Sequence, residues 1–478
     1  MPEHFDLLIV GAGLSGIGAA HHFQTRFPGK RYAILEARDA IGGTWDLFRY
    51  PGVRSDSDMF TLGYSFRPWR EAKAIADGPS ILQYVRDTAR ELGIDRHIRF
   101  NQKVMTASWS SSNARWSVET AAGGAGYTCD FLYVCSGYYR YDSGHTPVLP
   151  GRARFRGTVV HPQRWPADLD YSGKSVVVIG SGATAVTLVP AMASKAAKVT
   201  MLQRSPSYVL SLPATDPTAD LARRVLPQGL AHRLIRLKNV LINIAFFALC
   251  RRAPRLAKWA LRRALSKQLP AGFDVEKHFT PRYQPWDQRL CFVPDGDLLL
   301  ALSSGRAAIE TGTIRTLTED GLELESGTML KADVLVTATG LELLAIGGIA
   351  LTVDEQPIAI GDTLTYKGTL LTGVPNFAYC VGYSNASWTL RADLSSKLVC
   401  RIIDEMQQGG YRSCRPVRPE GEPGGKPLLE LTSGYVQRGV DHFPKQGLES
   451  PWHLPMNYLV DFFETQVGEL HDGRLEFR

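Results

Sequence analysis

The chain has 478 residues, of which 44% are hydrophobic and 21% are charged, and its formal net charge is +7. This length predicts two or three domains, and the composition is typical of a soluble globular protein. The N-terminus runs from a few polar residues directly into a strand and a glycine turn, so we expect no secretory signal. Seven cysteines without a CxxC pair predict a reducing, cytoplasmic environment, with neither a metal cluster nor a disulfide framework.

The first motif follows an apolar strand near the start of the chain. In DLLIVGAGLSGIGAA, the strand 7–10 leads into Gly11, Gly13 and Gly16, which open a helix. This GxGxxG spacing gives a tight turn, lets backbone approach a pyrophosphate and brings the helix against the strand. The second strand, RYAILE, ends in Glu36, where a carboxylate can hold both hydroxyls of an adenosine ribose. We therefore predict a dinucleotide site suited to FAD, and a purely structural glycine turn is the alternative.

A second glycine turn, KSVVVIGSGATAVTL, has the GxGxxA form. Its following strand, KVTMLQRSP, ends in Gln203 and Arg204 instead of an acid. A carboxylate there would repel a 2′-phosphate, whereas an arginine would pair with it, so this unit is predicted to prefer NADPH over NADH. A solvated surface arginine is the alternative. The residues expected to bind NADPH are Gly180, Ser181, Gly182, Ala183, Thr184, Ala185, Arg204 and Ser205.

Two longer patterns accompany these units. GGTWDLFRYPGVRSD, residues 42–56, fits GGxWxxxxYPGxxxD, and FRGTVVHPQRWP, residues 155–166, fits FxGxxxHxxxWP. They resemble the two signatures of type I Baeyer–Villiger flavin monooxygenases. Stretches such as QPWDQRL and GYSNASWTLRADL make the chain most similar to the ethionamide-activating monooxygenases of mycobacteria. The resemblance spans essentially the whole chain and implies an α/β fold with two Rossmann-like dinucleotide-binding domains, for FAD and NADPH, and a helical insertion.

The resemblance also implies a division of the chain into domains. The FAD-binding domain would be discontinuous and comprise residues 1–147 and 341–478. The NADPH-binding domain would comprise residues 148–212 and 289–340, with the helical insertion, residues 213–288, between its halves. His161 and Trp165 would lie on the linker between the domains, where they couple domain movement to cofactor position and do not transfer protons.

The activity implied by the resemblance is an NADPH- and O2-dependent Baeyer–Villiger oxidation of ketones to esters through a C4a-peroxyflavin, with S-oxygenation of sulfides or thioamides. Arg289 matches the catalytic arginine of the family, and Asp56 matches the carboxylate that orients it. One alternative is an N- or S-oxygenating flavin monooxygenase without ketone activity, and another is a membrane-associated flavoprotein that produces only peroxide. The substrate is expected to be a small apolar ketone or sulfide, and the sequence leaves its identity, the selectivity and the oligomeric state open.

For FAD, the resemblance implies contacts from Gly11, Gly13, Ser15, Gly16, Glu36, Thr44, Trp45, Asp46, Arg54, Asp56 and the backbone of Val104. One position departs from the family pattern, because Gln288 stands where many relatives have a lysine that assists in binding the 2′-phosphate. Arg204 would then carry most of the phosphate recognition, and we expect a weaker preference for NADPH.

The predicted insertion contains the basic excess of the chain. Residues 221–273 include twelve Lys or Arg and no Asp or Glu. The most apolar run, VLINIAFFALC, has eleven residues, too few to span a bilayer that needs ~20. Ala257, Ala260, Leu261, Ala264 and Leu265 then recur at helical spacing. Two interpretations stay open: a helix in peripheral contact with an anionic membrane, at the inner face of the cell membrane, or a buried helix with cationic flanks. Nucleic acid is not expected as a partner.

Overall fold

The computed structural model describes residues 2–418 and 425–478, so residues 419–424 of the predicted FAD-binding domain lie outside the described residues. Two main sheets organise the chain. In chain order their strands are β1 (Glu3–Val10), β2 (Tyr32–Leu35), β3 (Ile98–Arg99), β4 (Val104–Ser110), β5 (Arg115–Thr120), β6 (Tyr127–Val134), β7 (Thr158–Val160), β8 (Ser175–Ile179), β9 (Lys198–Gln203), β10 (Ala307–Thr311), β11 (Val334–Thr337), β12 (Ala350–Val353), β13 (Gln356–Pro357) and β14 (Phe377–Tyr379).

The larger sheet contains the first glycine unit. Its strand order is β13-β12-β4-β5-β6-β1-β2-β3, and β14 also pairs with β6. β1 runs parallel to both β2 and β6, and all of β2 and the last four residues of β1 and of β6 are apolar and buried, as expected for strands that are covered on both faces. β4 and β5 form an antiparallel pair. This sheet is the first of the two predicted Rossmann-like units.

The smaller sheet contains the second glycine unit. Its order is β10-β9-β8-β11-β7, and all of its pairings are parallel. Its central strands are buried and rich in valine, as expected for strands with helices on both faces. The predicted α/β fold with two dinucleotide-binding units is thereby confirmed, whereas the exact domain boundaries stay a prediction.

Helices cover the two sheets and connect them. In chain order they are α1 (Leu14–Arg26), α2 (Thr44–Leu47), α3 (Met59–Leu62), α4 (Gly78–Glu91), α5 (Ala183–Met192), α6 (Pro217–Val225), α7 (Gln228–Arg252), α8 (Pro254–Ser266), α9 (Val275–Phe279), α10 (Asp297–Ser303), α11 (Trp388–Gly409), α12 (Gly434–Gln437) and α13 (Tyr458–Phe462). α1 and α5 start directly after the two glycine turns, and α11 packs against α1.

Shorter strand pairs complete the fold. Those that flank the site are Tyr139–Gly144 with Leu341–Leu343 and Val209–Leu212 with Cys291–Pro294. The others are Ile314–Leu317 with Gly321–Leu324 and Met329–Lys331, Thr365–Tyr366 with Leu370–Leu371, Cys414–Pro416 with Leu475–Phe477, and Lys426–Pro427 with Lys445–Gln446. The first pair runs between the two main sheets, so both sheets are held around one cleft.

The predicted insertion, residues 213–288, contains α6 to α9, and α7 packs on the first unit. Arg236, in the middle of α7, is buried and donates to the carbonyl oxygens of Phe60, Thr61 and Gly63 at the end of α3. Within the described ranges, none of the helices is both long enough and apolar enough to cross a membrane. The apolar run lies within α7, a helix of 25 residues with basic residues on both sides of the run.

The predicted apolar stripe of α8 is mostly core. Ala257, Leu261 and Leu265 are buried, whereas Ala260 and Ala264 are exposed. The buried-helix interpretation therefore holds for that stripe, and the predicted membrane contact receives no support from it.

Candidate active site

The first glycine turn lies at the carboxyl ends of β1, β2 and β6, whose register brings these ends to one edge. Gly11 has φ +103°, and a Cβ there would lie 2.8 Å from the carbonyl oxygen of Cys135. α1 begins after Gly13, and no side chain among the described residues caps it. Its first N–H groups are therefore available to an anion, as binding of a pyrophosphate requires.

The second glycine turn repeats this arrangement at the ends of β8, β9 and β11. Gly180 has φ +140°, and a Cβ there would overlap the carbonyl of Ala338. At Gly182 a Cβ would meet no described atom within 4 Å, so the backbone faces open space. α5 begins after Gly182 and also lacks a side-chain cap within the described chain. Both turns thus fit a dinucleotide phosphate group.

Glu36 follows β2 and is almost fully buried. Its Oε2 accepts from the N–H of Ala12 at 2.7 Å, and its Oε1 accepts from the N–H of Arg38 at 3.0 Å. Burial raises the pKa of Glu36, and these two hydrogen bonds and the charge of Arg38 oppose that rise. Each carboxylate oxygen keeps a further lone pair, so the group fits the two hydroxyls of a ribose.

One cavity of about 1020 Å³ joins the two turns. Gly137 and Gly340, which follow β6 and β11, also line it. Most of the predicted site residues line this cavity, namely Gly11, Gly13, Ser15, Glu36, Thr44, Trp45, Arg54, Asp56, Val104, Gly180, Ser181, Gly182, Ala183, Thr184, Arg204, Ser205 and Arg289. Such a volume at the switch points of two open sheets is typical of a site that holds large cofactors and a small substrate.

Gln203 and Arg204, at the end of β9 and directly after it, have different surroundings. Gln203 is buried and donates to the carbonyl oxygen of His278 at 2.7 Å and to Thr311 Oγ1 at 2.9 Å. Arg204 is exposed and lines the cavity, and no acidic side chain in the described parts of the chain pairs with it. Gln288 lines the same cavity. Arg204 is therefore available to a phosphate.

Arg289 and Asp56 meet in this cavity. Arg289 Nη1 donates to Asp56 Oδ2 at 3.2 Å, and within the described residues its buried Nε has no hydrogen-bond partner. Burial disfavours the charge of Arg289, but the nearby acidic groups of Tyr138 and Asp56 outweigh burial and raise the pKa of Arg289 well above its usual value. The guanidinium therefore stays cationic and has an unused donor.

Local backbone structure places both side chains of this pair. Asp56 lies between α2 and α3, where the N–H of the preceding Ser55 donates to the carbonyl oxygen of Ala76 at 3.0 Å. Arg289 follows a turn in which Trp286 has φ +71°, a left-handed conformation that is uncommon for a bulky residue. In this turn the N–H of Gln284 donates to Asp287 Oδ2 at 2.9 Å.

Three of the predicted site residues lie outside the cavity lining. Asp46 is buried and its carboxylate pairs with Arg38 and with Arg86, the latter at 2.9 Å, so it holds a cation that faces the cavity. Gly16 and Ala185 lie behind the turns, where α1 and α5 approach their strands. Arg54 lines the cavity but is ion-paired with Asp297.

Aromatic residues outside the glycine turns also line the cavity. Trp388, at the start of α11, donates from Nε1 to Ser15 Oγ at 2.8 Å, although it lies 373 residues further along the chain. The hydroxyls of Tyr138 and Tyr139 lie 3.1 Å apart, and Tyr435 reaches the cavity from the C-terminal segment. Of these residues, only Trp388 lies in a stretch that the sequence analysis had singled out, GYSNASWTL. The tyrosines were not predicted, because strand periodicity does not reveal contacts between distant parts of the chain.

His161 lies away from the cavity, on the connection between the two sheets. Its Nδ1 accepts from the N–H of Gln163 at 3.2 Å, which leaves Nε2 as the donor to the carbonyl oxygen of Gly340 at 3.2 Å. Burial lowers the pKa of His161. Pro162–Arg164 forms a short 3-10 turn instead of a regular helix. The imidazole thus joins the linker to the loop after β11, and its predicted part in domain movement stays a prediction.

Two dinucleotide-binding units around a shared cleft, one with an acidic ribose clamp and one with a free arginine, define the class of two-dinucleotide flavoproteins. The sequence model of the flavin-binding monooxygenase-like family matches residues 74–342, and that of the NAD(P)-binding Rossmann-like domain matches residues 9–76.

Known proteins agree with this match. The chain is 52% identical to the FAD-containing monooxygenase EthA of Mycobacterium tuberculosis, covering 100% of this chain and 98% of EthA. Among solved structures, an oxidized steroid monooxygenase bound to NADP is 23% identical with a TM-score of 0.78, and each chain is covered to 99%. An open crystal structure of cyclohexanone monooxygenase is 20% identical with a TM-score of 0.76 over 100% of both chains.

The chain therefore belongs to the flavin-binding monooxygenase-like family, which confirms the resemblance predicted from its signatures. As a member of this family it is an NADPH-dependent flavin monooxygenase, and its cofactors are FAD and NADPH.

Proposed function

We propose that the enzyme is an O2-dependent Baeyer–Villiger monooxygenase that converts small apolar ketones to esters and also oxygenates sulfides or thioamides. The observation that supports this most is the Arg289–Asp56 pair, which lies in the cavity between the two glycine turns and keeps one buried donor without a partner in the described chain. A fixed cation of this kind serves a reaction in which negative charge develops on oxygen.

The two units would hold different cofactors. The N-terminus of α1, with Ser15 and Glu36, would bind FAD, and the N-terminus of α5, with Arg204, would bind NADPH. When bound, NADPH supplies the hydride and the flavin supplies the redox chemistry that activates O2. Thr44, Trp45, Arg54 and Val104 would complete the flavin site, since all of them line the cavity.

Arg289 would hold negative charge on oxygen atoms that react in the cavity. An arginine suits this task because it stays protonated and its planar fork offers several donors in fixed directions. Asp56 is a positioning residue, because its ion pair fixes the guanidinium in one orientation. Tyr138, Tyr139 and Trp388 would exclude water from this part of the site and so strengthen the charge interaction.

The lining near Arg289 favours an apolar substrate. Phe292 and Tyr435 add to the aromatic surface formed by the three residues named above. A small ketone or sulfide would bury its apolar part against these rings, whereas the donors of Arg289 select an oxygen.

The proposal is tested by following NADPH oxidation and product mass together, with one linear ketone and one thioether as substrates. We expect the parent to form ester and sulfoxide. Arg289→Ala should still oxidise NADPH but lose ester formation by at least ~100-fold, since removal of one charge-stabilising donor group typically costs that much. Arg282→Ala, an exposed arginine seven residues upstream, is the matched control and should keep both products.

Other outcomes would assign other activities. Sulfoxide without ester in the parent would identify an S-oxygenase without ketone activity. Peroxide alone, with neither product, would identify the oxidase alternative. Full ester yield from Arg289→Ala would show that the catalytic cation lies elsewhere.

A further inference from the structure

The joining segment, residues 50–56, lies between α2 and α3 of the first unit and packs into the second unit. Its Tyr50 is buried in the hydrophobic core of that unit, together with Val186 of α5. Gly52 has φ +76°, and a Cβ there would lie 2.7 Å from the Cβ of Ala191 on α5. A larger residue would overlap α5, so the segment occupies one closely defined position against this helix.

Two ion pairs connect the joining segment to the second unit. Arg54 contacts both carboxylate oxygens of Asp297, and its Nη2 donates to Oδ1 at 3.3 Å. Two residues further on, Asp56 accepts from Arg289 Nη1 at 3.2 Å. In the first pair the segment supplies the cation, and in the second pair it supplies the anion. Both pairs therefore form together at only one position of the segment along the second unit.

Asp297 and Arg289 lie at the two ends of one short stretch of the second unit. Arg289 precedes the strand Cys291–Pro294, and Asp297 is the first residue of α10, which follows that strand. The N–H of Leu298 donates to Asp297 Oδ1 at 2.8 Å, and α10 packs against α5. A displacement of α10 relative to the joining segment would therefore carry Arg289 away from Asp56.

The first unit holds the other side of this link. The N–H of Ser55 donates to the carbonyl oxygen of Ala76 at 3.0 Å, and the N–H of Gly78 donates to that of Val53 at 2.7 Å. These hydrogen bonds flank Arg54 on both sides. The Arg54 side chain is 14% exposed and its acidic partner is 32% exposed, so water screens their attraction less than that of a fully exposed pair. The ion pair thus links two fixed stretches of backbone.

We propose that Asp297 is a positioning residue of the reaction, whose ion pair with Arg54 keeps Arg289 in contact with Asp56. This inference rests on the role proposed above for Arg289. Asp297 is not among the described residues that line the cavity, so it acts through the joining segment and not by touching a cofactor or substrate. The effect can be large, because a misplacement of about 1 Å in a reacting or charge-stabilising group can cost about 100-fold in rate.

The experiment measures NADPH oxidation, oxygenated product and hydrogen peroxide with the FAD-loaded enzyme. Each NADPH that yields no product reduces one O2 to one H2O2, so the ratio of product to peroxide reports how well Arg289 is placed. Asp297→Asn removes the charge but keeps an oxygen for the N–H of Leu298. We expect it to lower the product-to-peroxide ratio on the order of 10-fold, with the FAD content unchanged. Asp297→Glu retains the charge and should restore the ratio at least in part.

A double-mutant cycle with Asp56→Ala separates positioning from general support of the fold. Once Asp56 is removed, no ion pair is left for Asp297 to position, so adding Asp297→Asn should not lower the ratio further. The midpoints of thermal unfolding of the same four proteins report the link without any reaction, and the combined shift should be smaller than the sum of the separate shifts. Glu323→Gln is the matched control, because its ion pair with Arg315 at 2.9 Å lies within one strand pair of the second unit, and it should leave the ratio unchanged.

Three results would overturn the positioning role. One is an unchanged product-to-peroxide ratio in Asp297→Asn, and another is an additive effect of Asp297→Asn and Asp56→Ala on that ratio. The third is loss of FAD from Asp297→Asn, which would assign the ion pair of Arg54 to cofactor binding. A parent that releases only peroxide would refute the function proposed for Arg289. The unfolding midpoints then decide the link by themselves, since non-additive shifts support it and additive shifts contradict it.

Discussion

At the scale of single residues, Arg204 is expected to decide between the two nicotinamide cofactors. It lies at the end of β9, lines the cavity and has no acidic partner in the described chain, so its charge is available to a 2′-phosphate. Arg204→Ala should raise KM for NADPH by ~10- to 100-fold, the worth of one charge-assisted hydrogen bond, and leave KM for NADH unchanged. Steady-state kinetics with both cofactors measure this.

Gln288, which lines the same cavity, provides the converse change. Gln288→Lys would add a second cation to the lining of this cavity, so KM for NADPH should fall while KM for NADH stays constant. Arg306→Ala, an exposed arginine next to the neighbouring strand β10, serves as the control for charge loss. An equal rise of both KM values in Arg204→Ala would mean that the residue supports the fold and not the phosphate.

At the scale of elements, Arg236 attaches the insertion to the first unit. It satisfies three carbonyl oxygens at the end of α3 from the middle of α7. Arg236→Ala would leave the carbonyl oxygens of Phe60 and Gly63 without a side-chain donor among the described residues, so we expect a loss of about 3 kcal/mol and a fall of the unfolding temperature by on the order of 5 °C. Differential scanning calorimetry tests this, with the exposed Arg233→Ala on the same helix as the neutral control.

The same elements show which features of the structure could be predicted from sequence patterns. The glycine turns and Glu36 were predictable because their chemistry requires a fixed spacing within one βαβ unit. The hydrogen bond between Trp388 and Ser15 and the ion pair between Arg54 and Asp297 were not predictable, because each joins residues that lie far apart in the chain. Apolar periodicity likewise predicted a helix at α8, but it could not show that Ala257 and Leu261 face the core while Trp259 faces solvent.

At the scale of the whole molecule, buried imidazoles link stability to pH. Burial lowers the pKa values of His21, His145, His161, His232, His278 and His453. A histidine whose folded pKa lies below its unfolded value of about 6.5 stabilises the fold above that pH, and this contribution is lost as pH falls towards the folded pKa. Several buried carboxyl groups, such as Asp461, have raised pKa values and act in the opposite direction.

A single histidine isolates the effect. Burial, together with the charge of His22, lowers the pKa of His21 to about 4; its ring stacks on Phe66 at 3.6 Å, and its Nδ1 has no partner within the described residues. Between about pH 7 and about pH 5 the unfolding temperature of His21→Phe should therefore fall less than that of the parent, because the variant has no imidazole to protonate on unfolding. The exposed His442→Phe should follow the parent. If His21→Phe and the parent lose the same number of degrees on acidification, the imidazole is not kept neutral by its stacking on Phe66, and this face of α1 must be more open to water than the contacts of His21 indicate.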